Sequence, residues 1–301
     1  MSFSAGTVGS LSVVWTRGRG CGELADLLAS GESDRISGDP AEECIERRAD
    51  LLVARKLPGN FDLVGVAVPI DLQPEMVTRV VAGVAGGPHS QLAAQVAARL
   101  AETLGVPAEI ASAAGAEDDS GSAAGLLDQI GADLPSMGRR LIEVGGVAEL
   151  AETLDEGALL VLGAPGGSWL RRWMLGPGAR LRRTARAGAV VVRSAPDRVF
   201  RFMGEPVYVA PLRRANDTLL FHLERTLAVA DQGRLVGLVR RERLMSAGEA
   251  AVGTVMEEAV SVRVDETITA AWKLAPEFGD DPIPVTDHEE YLVGGLLLPV
   301  A

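Results

Sequence analysis

The sequence predicts an α/β protein: a parallel sheet with helices on both faces, followed by a smaller α+β region made of two related units. Three observations predict it. Strand-like and helix-like segments alternate between residues 78 and 195, the pattern of a sheet whose parallel strands are joined by helical crossovers. Apolar residues make up 47% of the chain and aromatics only 4%, as expected where small-residue helices pack closely on a buried sheet. In residues 203–301 the strand–turn–strand signatures TLAVADQGRLVGLV and DPIPVTDHEEYLVGGLLL recur, an internal repeat with a period of roughly fifty residues.

The chain has 301 residues and a formal net charge of −12. That length holds two cores, and that charge argues against a general nucleic-acid binder. No uninterrupted apolar run is long enough to cross a bilayer, and the start MSFSAGTVGSLSVVWTRGRG has no basic residue before its apolar stretch. Neither a signal peptide nor a membrane anchor is expected, so the expected compartment is the cytoplasm. Cys21 and Cys44 are too few for a four-ligand metal site and are expected as reduced thiols. His89, His222 and His288 are scattered, with no spacing that predicts a metal site or a catalytic nucleophile. His89 reads as an exposed loop histidine beside the candidate cleft.

Residues 1–75 read as a β-α-α-β segment of no recognised family, with strands at Leu11–Thr16 and Asp62–Ile70 and helices near Glu23–Ser30 and Asp39–Arg55. Asp39-Pro40 is a start signal, an N-cap followed by Pro in the first turn. Thr78–Ala85 is a β-branched run, and Ser90 is expected to cap a helix Gln91–Leu104 with Leu92, Val96, Leu100 and Leu104 as its apolar stripe. Val106–Ala113 is the next strand, followed by a polar loop over 114–121 and a short helix Ala123–Ile130. Arg140–Val144 and Ala158–Gly163 are strands with a helix Val147–Leu154 between them. A glycine-rich loop, a helix Ala179–Ala187 and a strand Ala189–Arg193 complete the region.

That loop carries most of the chemistry. Gly163, Gly166 and Gly176 are spaced G-x-x-G, nine residues, G, directly after an apolar strand. Glycines there let the backbone turn and a phosphate approach, and a helix opening near Pro177 would point free N–H groups at it. On these residues, and on VVAGVAGGPHSQLAAQVAARLAETLG and the closing GAVVVR strand, the region 78–195 resembles the universal stress protein family. The resemblance implies a five-stranded parallel sheet, frequently dimerised through its last strand. It also implies a site for ATP or AMP at Gly83, Val84 and Ala85 and at Gly163, Gly166, Gly176, Pro177 and Gly178. Two positions depart from the nucleotide-binding pattern: Pro177 stands where such members have a hydroxyl, and Ala85 where they have an Asp. Arg171, Arg172, Arg180, Arg182, Arg183 and Arg186 cluster in and after the loop, as a surface for phosphate or an acidic partner or as a solvated helix face.

Residues 203–301 resemble a pair of CBS domains, most clearly over TVMEEAVSVRVDETITAAWKLAPEFGDDPIPVTDHEEYLVGGLLL, where Asp265 is expected to cap a helix. The resemblance implies adenine-nucleotide clefts between the two units. After Gly237, however, Arg240 and Arg243 stand where the nucleotide-binding pattern has a hydroxyl residue and a ribose-gripping Asp. Two arginines there could hold phosphate instead, but a packing or dimerisation role is the expected one. The whole reading is a non-catalytic, stress-related regulatory protein and homodimer, responsive to an adenine nucleotide or a protein partner. A scaffold with decayed sites and a weak ATP-hydrolysing enzyme stand as the alternatives.

Overall fold

The computed structural model describes residues 11–29, 33–56, 59–113, 120–142, 155–164 and 186–299. The chain divides into two compact units, Met1–Ala195 and Pro196–Ala301.

The first unit is built on one nine-stranded sheet. Its strands are β1 (Val13–Trp15), β2 (Asp34–Arg35), β3 (Leu51–Val53), β4 (Gly65–Ile70), β5 (Arg79–Gly83), β6 (Ala108–Ala113), β7 (Gly138–Ile142), β8 (Ala158–Gly163) and β9 (Ala189–Arg193). Its described helices are α1 (Cys21–Ala29), α2 (Pro40–Glu46), α3 (Gly87–Leu104) and α4 (Ser120–Ala132). The spatial order is β2-β1-β3-β4-β9-β8-β5-β6-β7. Every neighbouring pair is parallel except β4–β9.

That one antiparallel joint divides the sheet into two lobes. The second lobe, β5 to β9, contains the five parallel strands expected there. Its first strand, β5, lies between β6 and β8, so successive connections leave it in opposite directions. The first lobe repeats the arrangement: β1 lies between β2 and β3, with β4 beyond. Residues 11–75 are therefore half of a shared sheet. The outer edge of β9, the edge implied for dimerisation, is covered by β4 of the same chain, with Val66 opposite Arg193 and Ile70 opposite Ala189. The apolar run Gly65–Ile70 supplies a complementary strand, so that edge has no pairing groups left for a second copy. Pro69 is tolerated because β3 pairs with β4 only as far as Ala67.

Both alternating sets of strand side chains are buried. Val80, Ala82, Leu159 and Val161 face the core shared with α1 and α3, while Val81, Leu160 and Val66 are equally inaccessible on the other face. Sheets with this topology need both faces covered, which is why their strands read as continuous apolar runs. In α3 the expected stripe holds: Val96 and Leu100 are fully buried, with Leu92 and Leu104 at its margins.

Several boundaries differ from expectation. Asp39 does cap α2, its Oδ1 accepting from the N–H groups of Ala41 (2.7 Å) and Glu42 (3.3 Å). The helix stops at Glu46 rather than Arg55, because Arg48 takes a left-handed φ of 49° and releases Leu51–Val53 to become β3. Ser90 lies inside α3, which opens four residues earlier than expected: Gly86 and Gly87, at φ 95° and 76°, bend the chain directly into the helix. β7 is shifted towards Gly138, and α4 is longer than the expected helix. The expected helices Val147–Leu154 and Ala179–Ala187 lie outside the described residues.

The second unit holds two three-stranded sheets. The first comprises β10 (Tyr208–Val209), β11 (Thr226–Asp231) and β12 (Arg234–Arg240), with helices α5 (Ala215–Phe221) and α6 (Arg241–Ala247). The second comprises β13 (Val262–Arg263), β14 (Ile283–Thr286) and β15 (Leu292–Leu296), with α7 (Ile268–Ala271) and α8 (Ala275–Phe278). In each the first pair is parallel and the second an antiparallel hairpin, with a bulge after Val229 in one and after Val285 in the other. Gln232 and Gly233, both at positive φ, form the first hairpin's two-residue turn.

The repeats hold one another by matched bonds. Val199 N–H donates to Glu266 O, and Val252 N–H to Arg213 O. Gly204 and Gly295 exchange N–H···O bonds of 2.8 and 3.2 Å, and Glu257 and Leu238 exchange bonds of 2.7 and 3.1 Å. The segment before each repeat thus adds to the hairpin of the other. The glycines at the crossings permit it: a Cβ on Gly237 would lie 2.7 Å from Glu257 O, and one on Gly294 would lie 2.9 Å from Gly204 O. The cap of α7 is Thr267, whose Oγ1 accepts from Ala270 N–H at 3.2 Å. Asp265, expected in that role, instead faces Arg263 at 3.5 Å.

Candidate functional site

In a doubly wound sheet, ligands bind outside the carboxyl ends of the strands, at the point where the strand order reverses. In the second lobe that point lies between β5 and β8. Gly83 is opposite Leu162, and Gly163 follows directly. Four of the sequence-predicted positions, Gly83, Val84, Ala85 and Gly163, are therefore brought together at one edge. Val84 is buried and Ala85 exposed. Gly166, Gly176, Pro177 and Gly178 lie outside the described residues, as do Arg171, Arg172, Arg180, Arg182 and Arg183. Arg186 pairs with Glu156 at 2.9 Å.

The turn from β5 into α3 is stapled by Ser90. Its buried Oγ accepts from Ala85 N–H at 3.0 Å and donates to Gly86 O at 2.9 Å. Ser90 thus fixes the loop before the helix instead of capping the helix, the role expected for it. Gly163 passes so close to the first turn of α3 that a Cβ there would meet the backbone C and O of His89 at 2.9 Å. At this position glycine is a packing requirement.

His89 is half-buried, and this corrects its reading as an exposed loop residue. Its Nδ1 lies 2.7 Å from Ser194 Oγ and accepts from Ser194 N–H at 3.1 Å. A backbone N–H can only donate, so Nδ1 is unprotonated and the ring's proton sits on Nε2. Burial, and then the positive charge of Arg193, hold the imidazole below its ordinary pKa of 6.5. Arg193 donates to Gly59 O at 3.3 Å and to Phe61 O, tying the β3–β4 loop of the first lobe to this edge. Nothing local in the sequence signals these contacts, because the partners are separated by 105 and by more than 130 residues. Ala85 brings no carboxylate to this edge.

The second unit's candidate residues are placed differently from expectation. Arg240 Nε lies 3.3 Å from one oxygen of Glu257 and Arg243 Nε 2.7 Å from the other. The guanidinium pair, read as able to hold phosphate but expected in a packing or dimerisation role, meets this carboxylate, which the crossing segment delivers by its bonds to Leu238. The matching crossing residue in the other half is Gly204, with no side chain to offer.

Among the described residues no group of three or more His, Cys, Asp and Glu could hold a metal ion, and no helix is long and apolar enough to cross a membrane. Both thiols are free and buried. Burial, with Glu43 and Asp39 adding to it, pushes Cys44 up to about 12, so neither sulfur is poised as a nucleophile.

No protein-family model matches the chain, and no curated protein matches it. Solved structures similar to part of it include CBS-domain proteins. One is a CBS domain pair/ACT domain protein from Thermotoga maritima, at 22% identity and a TM-score of 0.31, covering 34% of this chain and 89% of that one. Another is the CBS-pair protein CBSX2 from Arabidopsis thaliana, at 24% identity and a TM-score of 0.31, covering 34% of this chain and 89% of that one. The cytosolic domain of the Mg2+ channel MgtE, in complex with ATP, is similar at 23% identity and a TM-score of 0.31, covering 44% of this chain and 56% of that one.

Proposed function

We propose that this chain is a non-catalytic regulatory protein whose conformational balance responds to an adenine nucleotide, ATP or AMP. In this reading residues 78–195 are related to the universal stress proteins, and residues 11–75 form a shortened companion lobe. The nucleotide sits at the carboxyl edge of β5 and β8. The observation that carries the reading is the meeting of Gly83 and Gly163 at the reversal of strand order, ahead of the G-x-x-G, nine-residue, G spacing. Residues 196–301 are read as a CBS pair, which the reciprocal bonds between its halves support. A ligand that stabilises one arrangement over another must bind the two unequally. Self-association, if the chain is a homodimer, falls to a surface other than β9. The apolar residues left exposed around α5 and α6, Leu220 (78%), Phe221 (72%) and Met245 (68%), supply one.

Thermal denaturation with ATP and with AMP tests the proposal. A nucleotide at one hundred times its dissociation constant should stabilise the unit that binds it by about 2.7 kcal/mol. Gly166→Leu should remove the effect while leaving residues 196–301 folded. No shift with either nucleotide would refute the regulatory reading.

A second reading, a scaffold with degenerate sites, is favoured by two observations. Ala85 has no carboxylate, and Glu257 already occupies Arg240 and Arg243. Loss of one charged hydrogen bond costs about 1.5–3 kcal/mol, enough to weaken binding roughly ten- to a hundredfold. Phosphate release from ATP above background would instead support the hydrolytic alternative.

A further inference from the structure

The first lobe has its own reversal of strand order, between β1 and β3, and its residues were assigned no role. Because β4 and β9 are antiparallel, the carboxyl ends of β1 and β3 emerge at the edge of the sheet opposite Gly83 and Gly163. Trp15 is directly opposite Val53, and the chain then runs Thr16-Arg17-Gly18-Arg19-Gly20 on one side and Ala54-Arg55-Lys56 on the other. Four cations thus leave two adjacent strand ends within a few residues. All four are exposed.

In a chain of net charge −12, cations are normally neutralised by neighbouring acids. Several elsewhere in this unit are: Arg47 meets Asp34 and Glu43, Arg79 meets Glu109 and Asp155, and Arg139 meets Asp128. Among the described residues, Arg17, Arg19, Arg55 and Lys56 form no ion pair with a carboxylate. The acid nearest in sequence is Glu23, exposed in the first turn of α1. Placing four like charges together without compensation costs stability through their mutual repulsion, which an anion would relieve.

The backbone is shaped for close approach as well. Gly18 packs so tightly that a Cβ there would meet Cys21 Sγ at 2.8 Å and Arg55 Cβ at 3.1 Å. Gly20 has φ 74°. These two glycines carry the chain across the strand ends into α1 without a side chain at either turn, and the flanking Arg17, Arg19 and Arg55 are exposed. Guanidinium forks match phosphate oxygens in geometry and charge, and the positive end of α1 adds to the field.

We propose that this edge of the first lobe is a binding site for a phosphate-bearing small molecule, separate from the nucleotide edge of the second lobe. Titration calorimetry of the full chain with pyrophosphate tests it, in parallel with Arg17→Glu/Arg55→Glu and with Gly166→Leu. Both arginines are exposed and have no ion pair among the described residues, so the double variant should keep the wild-type circular dichroism and melt no lower than the wild type. Expected is saturable binding that the double variant weakens by at least about tenfold and that Gly166→Leu leaves unchanged. Titration with AMP separates a nucleotide from a free phosphate as the source of the anion. Absence of pyrophosphate binding up to about 10 mM, in the range of the weakest specific affinities, would overturn the proposal. So would an affinity unchanged in the double variant, or one lost only in Gly166→Leu. This last result would move the anion to the second lobe and support the nucleotide reading alone.

Discussion

The crossing of the two halves of the second unit makes a sharp prediction about two facing glycines. Gly294→Ala would place a Cβ 2.9 Å from both Gly204 O and Met203 Sδ. Ordinary contact begins near 3.4 Å, so the crossing segment must retreat by about half an ångström. The adjacent pair of bonds between Gly204 and Gly295 (2.8 and 3.2 Å) cannot stretch that far and stay well formed. Overpacking of this kind costs about 1–3 kcal/mol, and each kcal/mol is worth about 4–8 °C of melting temperature in a unit of about 100 residues. Gly204→Ala is the control. Its Cβ would have only Gly295 O nearby, at 3.9 Å, and its φ is not left-handed. Reduced freedom of the unfolded chain should make that variant neutral or more stable by about 0.4–1 kcal/mol. Scanning calorimetry of the full chain, with the second unit's transition assigned by hydrogen exchange at Leu238 and Glu257, measures both. If Gly294→Ala melted with the wild type, or Gly204→Ala lost as much as Gly294→Ala, the crossing would not be the close-packed joint described.

Three further outcomes are expected. His89 is held below its ordinary pKa in the folded state, so between that lowered value and 6.5 the unfolded chain binds more protons than the folded one. Stability should therefore rise with pH across that window, and His89→Gln should flatten the rise; an imidazole titration by NMR at or above 6.5 would contradict the Ser194 and Arg193 environment. Glu257→Gln should cost the fold under about 1 kcal/mol, since its ion pairs are partly exposed. It should also free Arg240 and Arg243 to bind AMP, and calorimetry showing no gain would mean the arginines cannot reach a phosphate. Phe221→Asp should lower the sedimentation coefficient if α5 and α6 form the self-association surface, whereas an identical monomer in both proteins would exclude it.

The strands at the centre of the first unit were legible because both faces of the sheet are buried, so Ala82 and Val161 sit in unbroken apolar runs. β2 was not legible: it is two residues long, Asp34 and Arg35, both exposed, and its pairing owes nothing to apolar pattern. β3 was hidden behind a helical run, because the break at Arg48 uses an arginine at positive φ where glycine would have announced it. The joint between β4 and β9 leaves no local mark, since an apolar run reads the same whichever strand it meets. At the edge of β5 and β8, the positions of Gly83 and Gly163 at strand ends were readable from the apolar runs before them. The fixing contacts were not: Ser194 on His89, and Glu257 on Arg240 and Arg243, depend on which elements the fold brings side by side.

The antiparallel joint of β4 and β9 has one more consequence. In an assembly of identical copies, every substitution appears on both sides at once, so the halves must keep the same chemistry. Here the partners are written separately into one chain. A change at Gly18 or Arg55 alters one edge and leaves Gly83 and Gly163 as they were. The joint itself needs only the strand-forming runs Gly65–Ile70 and Ala189–Arg193, so either edge can change its side chains while the sheet between them stays intact.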